Sequence, residues 1–392
     1  MKQPATSSDA THTGTGAGIA LILTSLACWT TIPLFLRFFT SQVDGWTANG
    51  WRYGFSALLW LPLLLVAARK GALPPGLWKA AFWPSVFNTA AQACFGLAPY
   101  FVDPSLMTFS LRFQIVFVTC AAAVMFPAER MIIKKPGFIL GIAMVVCGTL
   151  LTIALTPGGL GKGTAVGVVL SIASGLLYAG YALSVRATMH GMKPLLAFSA
   201  VSQLTAIGMI VLMVLFAHDQ QTHEHDFGLG VLHMSGGMWA MMLASAVIGI
   251  GIGHTAYFKS IQALGLAVSA GVVQLQPITV SIVAPFLFPE DQHLSAVQWA
   301  TGLIAVGGAA TMLLTQSRYA RRLKELSDPM RCSHCGYSRA GLPAGAACPE
   351  CGKTPGMGMD DDRFDDLPVD PDVALVGQSN EVAPPKENAA AR

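Results

Sequence analysis

The chain has 392 residues, of which 53% are hydrophobic and 11% are charged, and its mean hydropathy is +0.55. Charged side chains are too few to cover a soluble globule of this length, so the composition excludes an ordinary soluble domain. The formal net charge of +3 is small and gives no indication of a nucleic-acid partner.

Apolar segments long enough to cross a lipid bilayer follow one another through most of the chain. A hydrocarbon core about 30 Å thick needs about 20 apolar residues per helix, and clusters of Pro, Gly and basic residues separate the segments. We predict an all-α integral membrane fold. Its ten transmembrane helices are expected near residues 17–38, 46–68, 80–101, 104–126, 136–156, 164–186, 194–217, 238–260, 266–288 and 295–315.

Lys and Arg are distributed unevenly between the two ends of the predicted helices. Cytoplasmic loops carry the excess of these residues. One end of the bundle receives only Arg37 and Lys162, and the other receives Arg69, Lys70, Lys79, Arg130, Lys134, Lys135, Arg186, Lys193 and Lys259. We therefore expect both termini in the cytoplasm, with the chain in the inner (cytoplasmic) membrane of a bacterium.

The ten predicted helices form two halves of five. We place a disordered N-terminal tail at residues 1–16, a first five-helix repeat at 17–156 and a second at 164–315. Because five is an odd number, the second half is expected to cross the membrane in the opposite sense to the first. Such inverted repeats are found in secondary transporters.

Two apolar segments, residues 111–129 and 273–290, end in similar sequences that contain a Phe-Pro pair. Polar side chains are costly in lipid, so polar residues that recur at matched positions indicate a shared binding site. An ungapped alignment pairs Arg112 with Gln274, Gln114 with Gln276, and Gln92 with His254.

Arg112 and Gln114 stand two residues apart, as do their counterparts in the second half. In a regular helix such residues diverge by about 200°, so both can face one site only where the helix is distorted. Pro277 supplies a distortion in the ninth helix because it lacks an N–H, whereas the fourth helix has nothing comparable. We therefore rank Arg112 above Gln114.

Arg52 and Arg112 are the most prominent charged residues within the predicted helices, and no Asp or Glu lies deep in any of these helices. A guanidinium group binds a carboxylate through two parallel hydrogen bonds, which favours an anionic or zwitterionic substrate. The alternative is that both side chains extend to the membrane surface or bond to backbone carbonyls. His254 could couple proton movement to transport, or it could be a neutral residue that packs between helices.

Four short sequence features stand at characteristic places along the chain: Trp29 in the first helix, Trp51-Arg52-Tyr53 at the start of the second, Pro127-Ala128-Glu129-Arg130 after the fourth and Pro289-Glu290-Asp291 after the ninth. Their spacing resembles the drug/metabolite transporter superfamily, specifically its EamA-type ten-helix members, over residues 17–315. The two turns depart from the Gly-Glu-Arg-like sequence that is usual in the family.

The resemblance implies a transporter with a central cavity lined by the third, fourth, eighth and ninth helices. The first, second, sixth and seventh helices contribute to the same cavity. The membrane Glu that the small multidrug relatives use for proton exchange has no counterpart in this chain, which disfavours proton antiport by that chemistry.

Four of the eight cysteines are spaced as Cys-x2-Cys-x12-Cys-x2-Cys near the C-terminus: Cys332, Cys335, Cys348 and Cys351. Four thiolates with this spacing can surround one zinc ion, and a reducing cytoplasm favours zinc over disulfides. We predict a structural zinc ribbon at residues 330–353, whose partner the sequence does not identify. A disordered acidic tail is expected at 354–392.

The sequence as a whole predicts a secondary transporter of a small polar, anionic or zwitterionic metabolite that works by alternating access in the lipid bilayer, with a homodimer as a compatible assembly. The predicted substrate-binding residues are Arg112, Gln92, His254, Gln274, Gln276, Arg52, Gln114 and Trp29. The alternative is a membrane-anchored interaction protein that acts through its zinc ribbon. An enzyme is not expected, because the helices contain no HExxH motif, nucleophile–base spacing or clustered carboxylates.

Overall fold

The computed structural model describes residues 15–125, 130–156, 161–291, 293–327, 337–338, 342 and 346–352. Within these residues the chain is mainly helical, and an isolated antiparallel bridge pairs His218 with His225. The predicted acidic tail, nearly all of the N-terminal tail, and the first two predicted zinc ligands lie outside the described residues.

The first half of the chain begins with three long helices and ends with a fourth. The helices are α1 (Thr15–Phe39), α2 (Gly45–Arg69), α3 (Leu77–Leu97), α4 (Pro104–Ser110), α5 (Phe113–Met125), α6 (Arg130–Ile133) and α7 (Pro136–Ala154). Asp44 caps α2, because its carboxylate accepts the N–H groups of Trp46 and Thr47.

The second half has a similar order of elements. Its helices are α8 (Lys162–Thr188), α9 (Pro194–Phe216), α10 (Gly236–Ser245), α11 (Gly253–Leu264), α12 (Leu266–Val273), α13 (Gln276–Leu287) and α14 (Ala296–Ser327). A π-helix over Ala246–Ile252 joins α10 to α11, and its end is marked by the hydrogen bond from Gly253 N–H to Ile248 O. A π turn of this kind is rare and is frequently found at functional sites.

Nine spans of the described chain are long and apolar enough to cross a membrane, which supports the prediction of an integral membrane protein. The remaining predicted helix, the third (80–101), corresponds to α3, which has 21 residues but is not among the nine. α3 carries the buried Asn88 and the half-buried Gln92, and it packs along α8 and α9. Polar side chains lower the hydropathy of α3, and the bundle tolerates them because they face other helices and not lipid.

The two halves pack against each other through a regular set of helix pairs. The first span of each half packs on the third span of the other, so that α1 lies along α11 and α8 lies along α3. The second spans pair as α2 with α9, the fourth as α4 with α13, and the fifth as α7 with α14. Exchanging the halves returns the same set of pairs.

Glycines bring α7 and α14 into backbone contact along a line that we call the α7–α14 seam, formed by Gly141, Gly148, Ala305 and Gly308. A Cβ atom at Gly308 would lie 2.7 Å from the carbonyl oxygen of Gly141, and one at Gly148 would lie 2.6 Å from the amide nitrogen of Ala305. Small residues allow membrane helices to approach this closely.

The fourth and ninth spans are both interrupted, at Leu111–Arg112 and at Gln274–Leu275. At each interruption the backbone turns more tightly, with i→i−3 hydrogen bonds such as Arg112 N–H to Phe109 O (3.0 Å) and Gln274 N–H to Gly271 O (3.1 Å). Pro277 begins α13 rather than bending the middle of a helix. The fourth span thus contains a distortion that the sequence analysis did not foresee, because no proline marks it.

Candidate functional site

Arg112 lies at the interruption of the fourth span and is almost completely buried. It donates through Nη1 to Gln274 Oε1 (2.9 Å) and through Nη2 to Gln276 Oε1 (3.2 Å), while Nε contacts Thr108 O at 3.3 Å. Three residues that the sequence alignment placed at matched positions of the two halves are therefore in direct contact. The α4–α13 packing, which pairs the two interrupted spans, positions them.

The charge of Arg112 is surrounded by neutral acceptors. Its partners are two side-chain amides and one backbone carbonyl, and among the described residues the ion pair identified is that of Arg37 and Asp291. A buried cation without a counter-ion is costly, and amide dipoles offset only part of that cost. An anionic group that enters this position would complete the pairing.

A hydrogen bond extends the Arg112 network to the first helix. Gln276 Nε2 donates to Trp29 O at 2.8 Å, and the Trp29 ring lies 5.1 Å from the His254 ring and 4.9 Å from the Tyr257 ring, measured between centroids. Phe198 stacks on His254 at 4.4 Å with an interplanar angle of 16°. One glutamine thus connects the Arg112 guanidinium to a cluster of rings, which we call the aromatic group and which consists of Trp29, Phe198, His254 and Tyr257.

Two buried ring nitrogens, His254 Nδ1 and Trp60 Nε1, have no hydrogen bond of good geometry among the described residues, although the backbone of Gly249 and Ile250 lies close to the imidazole. Both rings pack on Phe198, with the Trp60 and Phe198 centroids 5.3 Å apart. Buried polar atoms are usually hydrogen-bonded, and exceptions are expected where water or a ligand binds. The aromatic group therefore has the capacity to bond to a small polar molecule.

Arg52 belongs to a separate network. It is 1% exposed, and it donates to Ser245 Oγ at 2.8 Å and to Asn49 Oδ1 at 3.1 Å. Asn49 Nδ2 in turn donates to the backbone oxygen of Gln92 at 2.9 Å. These bonds tie α2 to α3 and α10 and do not include Arg112.

The eight predicted substrate-binding residues therefore divide into three sets. The structure brings together Arg112, Gln274, Gln276, Trp29 and His254. Arg52 and the backbone of Gln92 join the second network, and Gln114 packs against Gly175 of α8.

Sequence analysis missed Phe198 and Asn49. Phe198 is one apolar residue within an apolar span, so no local signal distinguishes it. Asn49 stands three residues before Arg52 and therefore on the same helix face, which is a signal that could have identified it.

Only the second half of the predicted zinc ribbon lies within the described residues. Cys348 is buried, and its carbonyl accepts the N–H of Gly352 at 2.8 Å. Gly352 has φ +71°, a conformation that favours glycine. No group of three or more His, Cys, Asp or Glu residues arranged for a metal ion is found in the described part of the chain, so the four-cysteine site stays a prediction.

At one end of the bundle, Arg37 of α1 forms an ion pair with Asp291, which follows α13. Arg37 Nη1 also donates to Pro99 O at 3.1 Å. Nearby, Asp103 caps α4 through Leu106 N–H at 3.0 Å. Burial, opposed by the hydrogen bond from Leu106 N–H and assisted by the neighbouring charge of Asp291, raises the pKa of Asp103 to about 6.

This raised pKa predicts a pH-dependent stability difference between the wild type and Asp103→Asn. An ordinary Asp pKa is 3.8, so the folded protein holds this proton more tightly than the unfolded chain and loses stability as pH rises from about 4 to about 6. Asn caps a helix as well as Asp does. We expect Asp103→Asn to be more stable than the wild type at pH 7, by up to about 3 kcal/mol in the free energy of unfolding for a two-unit shift, and this difference to disappear toward pH 4.

Thermal unfolding in detergent at several pH values measures this difference. An advantage of the same size at pH 4 and pH 7 would contradict the role given to the Asp103 proton.

Comparison with known proteins gives one family. Residues 16–154 and 165–314 each match the family model described as "EamA-like transporter family". Among eleven matching chains of solved structures, one entitled "Crystal structure of protein" is 15% identical and has a TM-score of 0.53, covering 78% of this chain and 99% of that chain. At this identity the likeness concerns the fold alone, and no curated protein matches the sequence.

Proposed function

The chain belongs to the EamA-like transporter family, and we propose that it is a membrane permease of the drug/metabolite type. In this proposal it carries a small anionic or zwitterionic metabolite by alternating access. The observation that supports this substrate class most directly is Arg112. A buried guanidinium group with only neutral partners stands where two interrupted spans meet. Interrupted helices of this kind hold substrates and ions in secondary transporters.

A carboxylate is the substrate group that Arg112 fits best. The guanidinium can give two parallel hydrogen bonds to a carboxylate, in place of the separate bonds that it gives to Gln274 and Gln276. The released glutamine amides can then donate to other polar atoms of the substrate.

The aromatic group suggests what the rest of the substrate resembles. Trp29, Tyr257 and Phe198 offer ring faces beside His254, and such rings bind planar or apolar bodies well. We therefore propose a compact molecule in which a carboxylate is joined to a planar or apolar part.

Movement of the two halves accounts for transport in this proposal. The exchangeable pairing of helices supports an inverted repeat of two five-helix halves. Arg37 belongs to the first half and Asp291 to the second, so their ion pair has to separate when the bundle opens at that end. The positive-inside distribution supports cytoplasmic termini, with the Arg37 end outside.

Cysteine labelling tests this orientation. Thr222 lies exposed in the loop between α9 and α10, and His190 lies exposed in the loop between α8 and α9. We expect a membrane-impermeant maleimide to label Thr222→Cys in intact cells, and to label His190→Cys only after permeabilisation. The reverse pattern would contradict the proposed orientation.

Uptake and counterflow in proteoliposomes test the substrate class. A panel that contains matched carboxylates, amines and neutral polyols should show counterflow for the carboxylates, alone or with an amino group. Transport confined to amines or polyols would contradict the proposal.

The second candidate is an interaction protein whose function resides in the predicted zinc ribbon. The buried Cys348 and the turn at Gly352 support a metal-binding turn. In the transporter proposal, Cys348→Ser should release zinc from the purified full-length protein and leave transport unchanged, because the ribbon would fold separately from the bundle. Loss of transport with correct membrane insertion would indicate that the ribbon takes part.

A further inference from the structure

The loop between α9 and α10 contains three histidines within residues 218–225: His218, His223 and His225. None of them contacts the Arg112 network or its aromatic group. His223 and His225 are exposed and His218 is half-buried, so all three can be reached by a solute. Imidazole is a ligand that Zn²⁺, Cu²⁺ and Ni²⁺ prefer.

The fold of the loop brings these rings together. The antiparallel bridge pairs His218 with His225 directly, and side chains of directly opposed residues leave the backbone on the same face. The His218 and His223 ring centroids are 6.0 Å apart. Two imidazoles bound to one ion, with metal–nitrogen distances of about 2.0–2.1 Å, have centroids about 5–6 Å apart, so a small rotation suffices.

The hydrogen bond of His218 prepares it as a ligand. His218 Nδ1 lies 3.2 Å from the backbone oxygen of Phe216. A carbonyl oxygen can only accept, so Nδ1 carries the proton and Nε2 keeps its lone pair. Metal-bound histidines commonly have this arrangement, in which a carbonyl fixes the ring and its tautomer.

A tight turn fixes the position of His223. Asp219 Oδ1 accepts the N–H groups of Gln221 (2.9 Å) and Thr222 (2.8 Å), and His223 N–H donates to Asp219 O at 2.9 Å. The ring of His225 packs at its edge on Phe227, with centroids 4.2 Å apart. The described residues contain no group of three ligands already arranged for a metal ion, so in this proposal His225 rotates away from Phe227 when the ion binds.

We propose that His218, His223 and His225 bind one divalent transition-metal ion, in a site separate from the transport site and from the predicted zinc ribbon. The same loop is tied to the first half of the bundle, because Gln220 Nε2 donates to Thr40 O (3.0 Å) and Val43 O (2.9 Å) and Trp51 Nε1 donates to Gly228 O (2.9 Å). A bound ion would therefore stiffen a loop that contacts the first half of the bundle.

Titration calorimetry with Ni²⁺ on the full-length protein, purified through a tag without histidines and loaded with one equivalent of Zn²⁺, which four thiolates at the predicted ribbon would bind first, tests the proposal. We expect one Ni²⁺ site whose affinity falls about tenfold or more in His218→Asn and in His223→Asn. His190→Asn, in the loop between α8 and α9, is the matched control and should bind Ni²⁺ as the wild type does. Equal binding by the wild type, His218→Asn and His223→Asn would overturn the proposal.

Two further measurements identify the ligands. Cys348→Ser should leave the Ni²⁺ site unchanged, and a loss of binding in that variant would place the ion at the ribbon and overturn the loop site. With Cu²⁺ as the probe, electron paramagnetic resonance should show coupling to imidazole nitrogens that decreases in His225→Asn. An unchanged spectrum in His225→Asn would remove His225 and with it the three-histidine site.

Discussion

Replacing Arg112 by glutamine is expected to lower transport of an anionic substrate about 100-fold or more. Arg112 is buried and donates to neutral acceptors on the ninth span, so under the proposed function the substrate supplies its counter-ion. A charge-assisted hydrogen bond contributes about 1.5–3 kcal/mol, and the loss of two such bonds corresponds to a decrease of about 100-fold or more in binding. Initial rates and half-saturation concentrations in proteoliposomes measure the effect.

Arg112→Lys separates charge from geometry. Lysine keeps the positive charge but cannot present two parallel donors, so we expect transport to lie between that of Arg112→Gln and the wild type. Arg69→Gln is the matched control, because Arg69 is an exposed arginine at the end of α2. Wild-type transport by a well-inserted Arg112→Gln protein would show that Arg112 is a packing residue.

Gly308→Ala is expected to destabilise the bundle, although alanine is the better helix former. The added Cβ would lie 2.7 Å from Gly141 O, 2.7 Å from Val145 N and 2.7 Å from Met144 Cβ. Two of these atoms belong to the backbone of α7 and cannot rotate away, so the α7–α14 seam has to open. Overpacking of this kind costs about 1–3 kcal/mol, and Gly308→Val should cost more.

The neighbouring glycine supplies the control. A Cβ at Gly307 would meet the terminal methyl of Met144 at 3.4 Å, and this flexible group can move. Gly307→Ala should therefore be neutral or stabilising by up to about 1 kcal/mol, as helix propensity predicts. Opposite signs for the two variants in thermal unfolding would support the seam, whereas equal stability would contradict the backbone contact.

Much of the central site could be predicted because polar residues are rare in membrane helices. Arg112, Gln274 and Gln276 stand out in apolar surroundings, and their matched positions indicated that they meet, as they do at 2.9 and 3.2 Å. The membrane-spanning character followed from composition for the same reason. These inferences depend on the cost of polar groups in lipid, which acts on each residue separately.

Features that depend on long-range packing could not be predicted. Arg52 donates to Ser245, a contact across 193 positions, and spacing within one helix gives no information about it. The interruption at Leu111–Arg112 replaces ordinary helical bonds with i→i−3 bonds at little cost, so neighbouring helices decide where it occurs. Only the interruption of the ninth span lies beside a proline, Pro277, so only that interruption could be predicted from the sequence.

The π-helix at Ala246–Ile252 gives the eighth span a way to turn about its own axis. Within this wide turn, Gly249 O accepts the indole N–H of Trp29 at 3.2 Å. A wide turn can pass along a helix by exchanging one hydrogen bond at a time. Each step rotates the residue that it passes by about 100°. The next residues along the chain are Gly253 and His254, so migration by two positions would swing the imidazole away from Phe198 without unwinding the span.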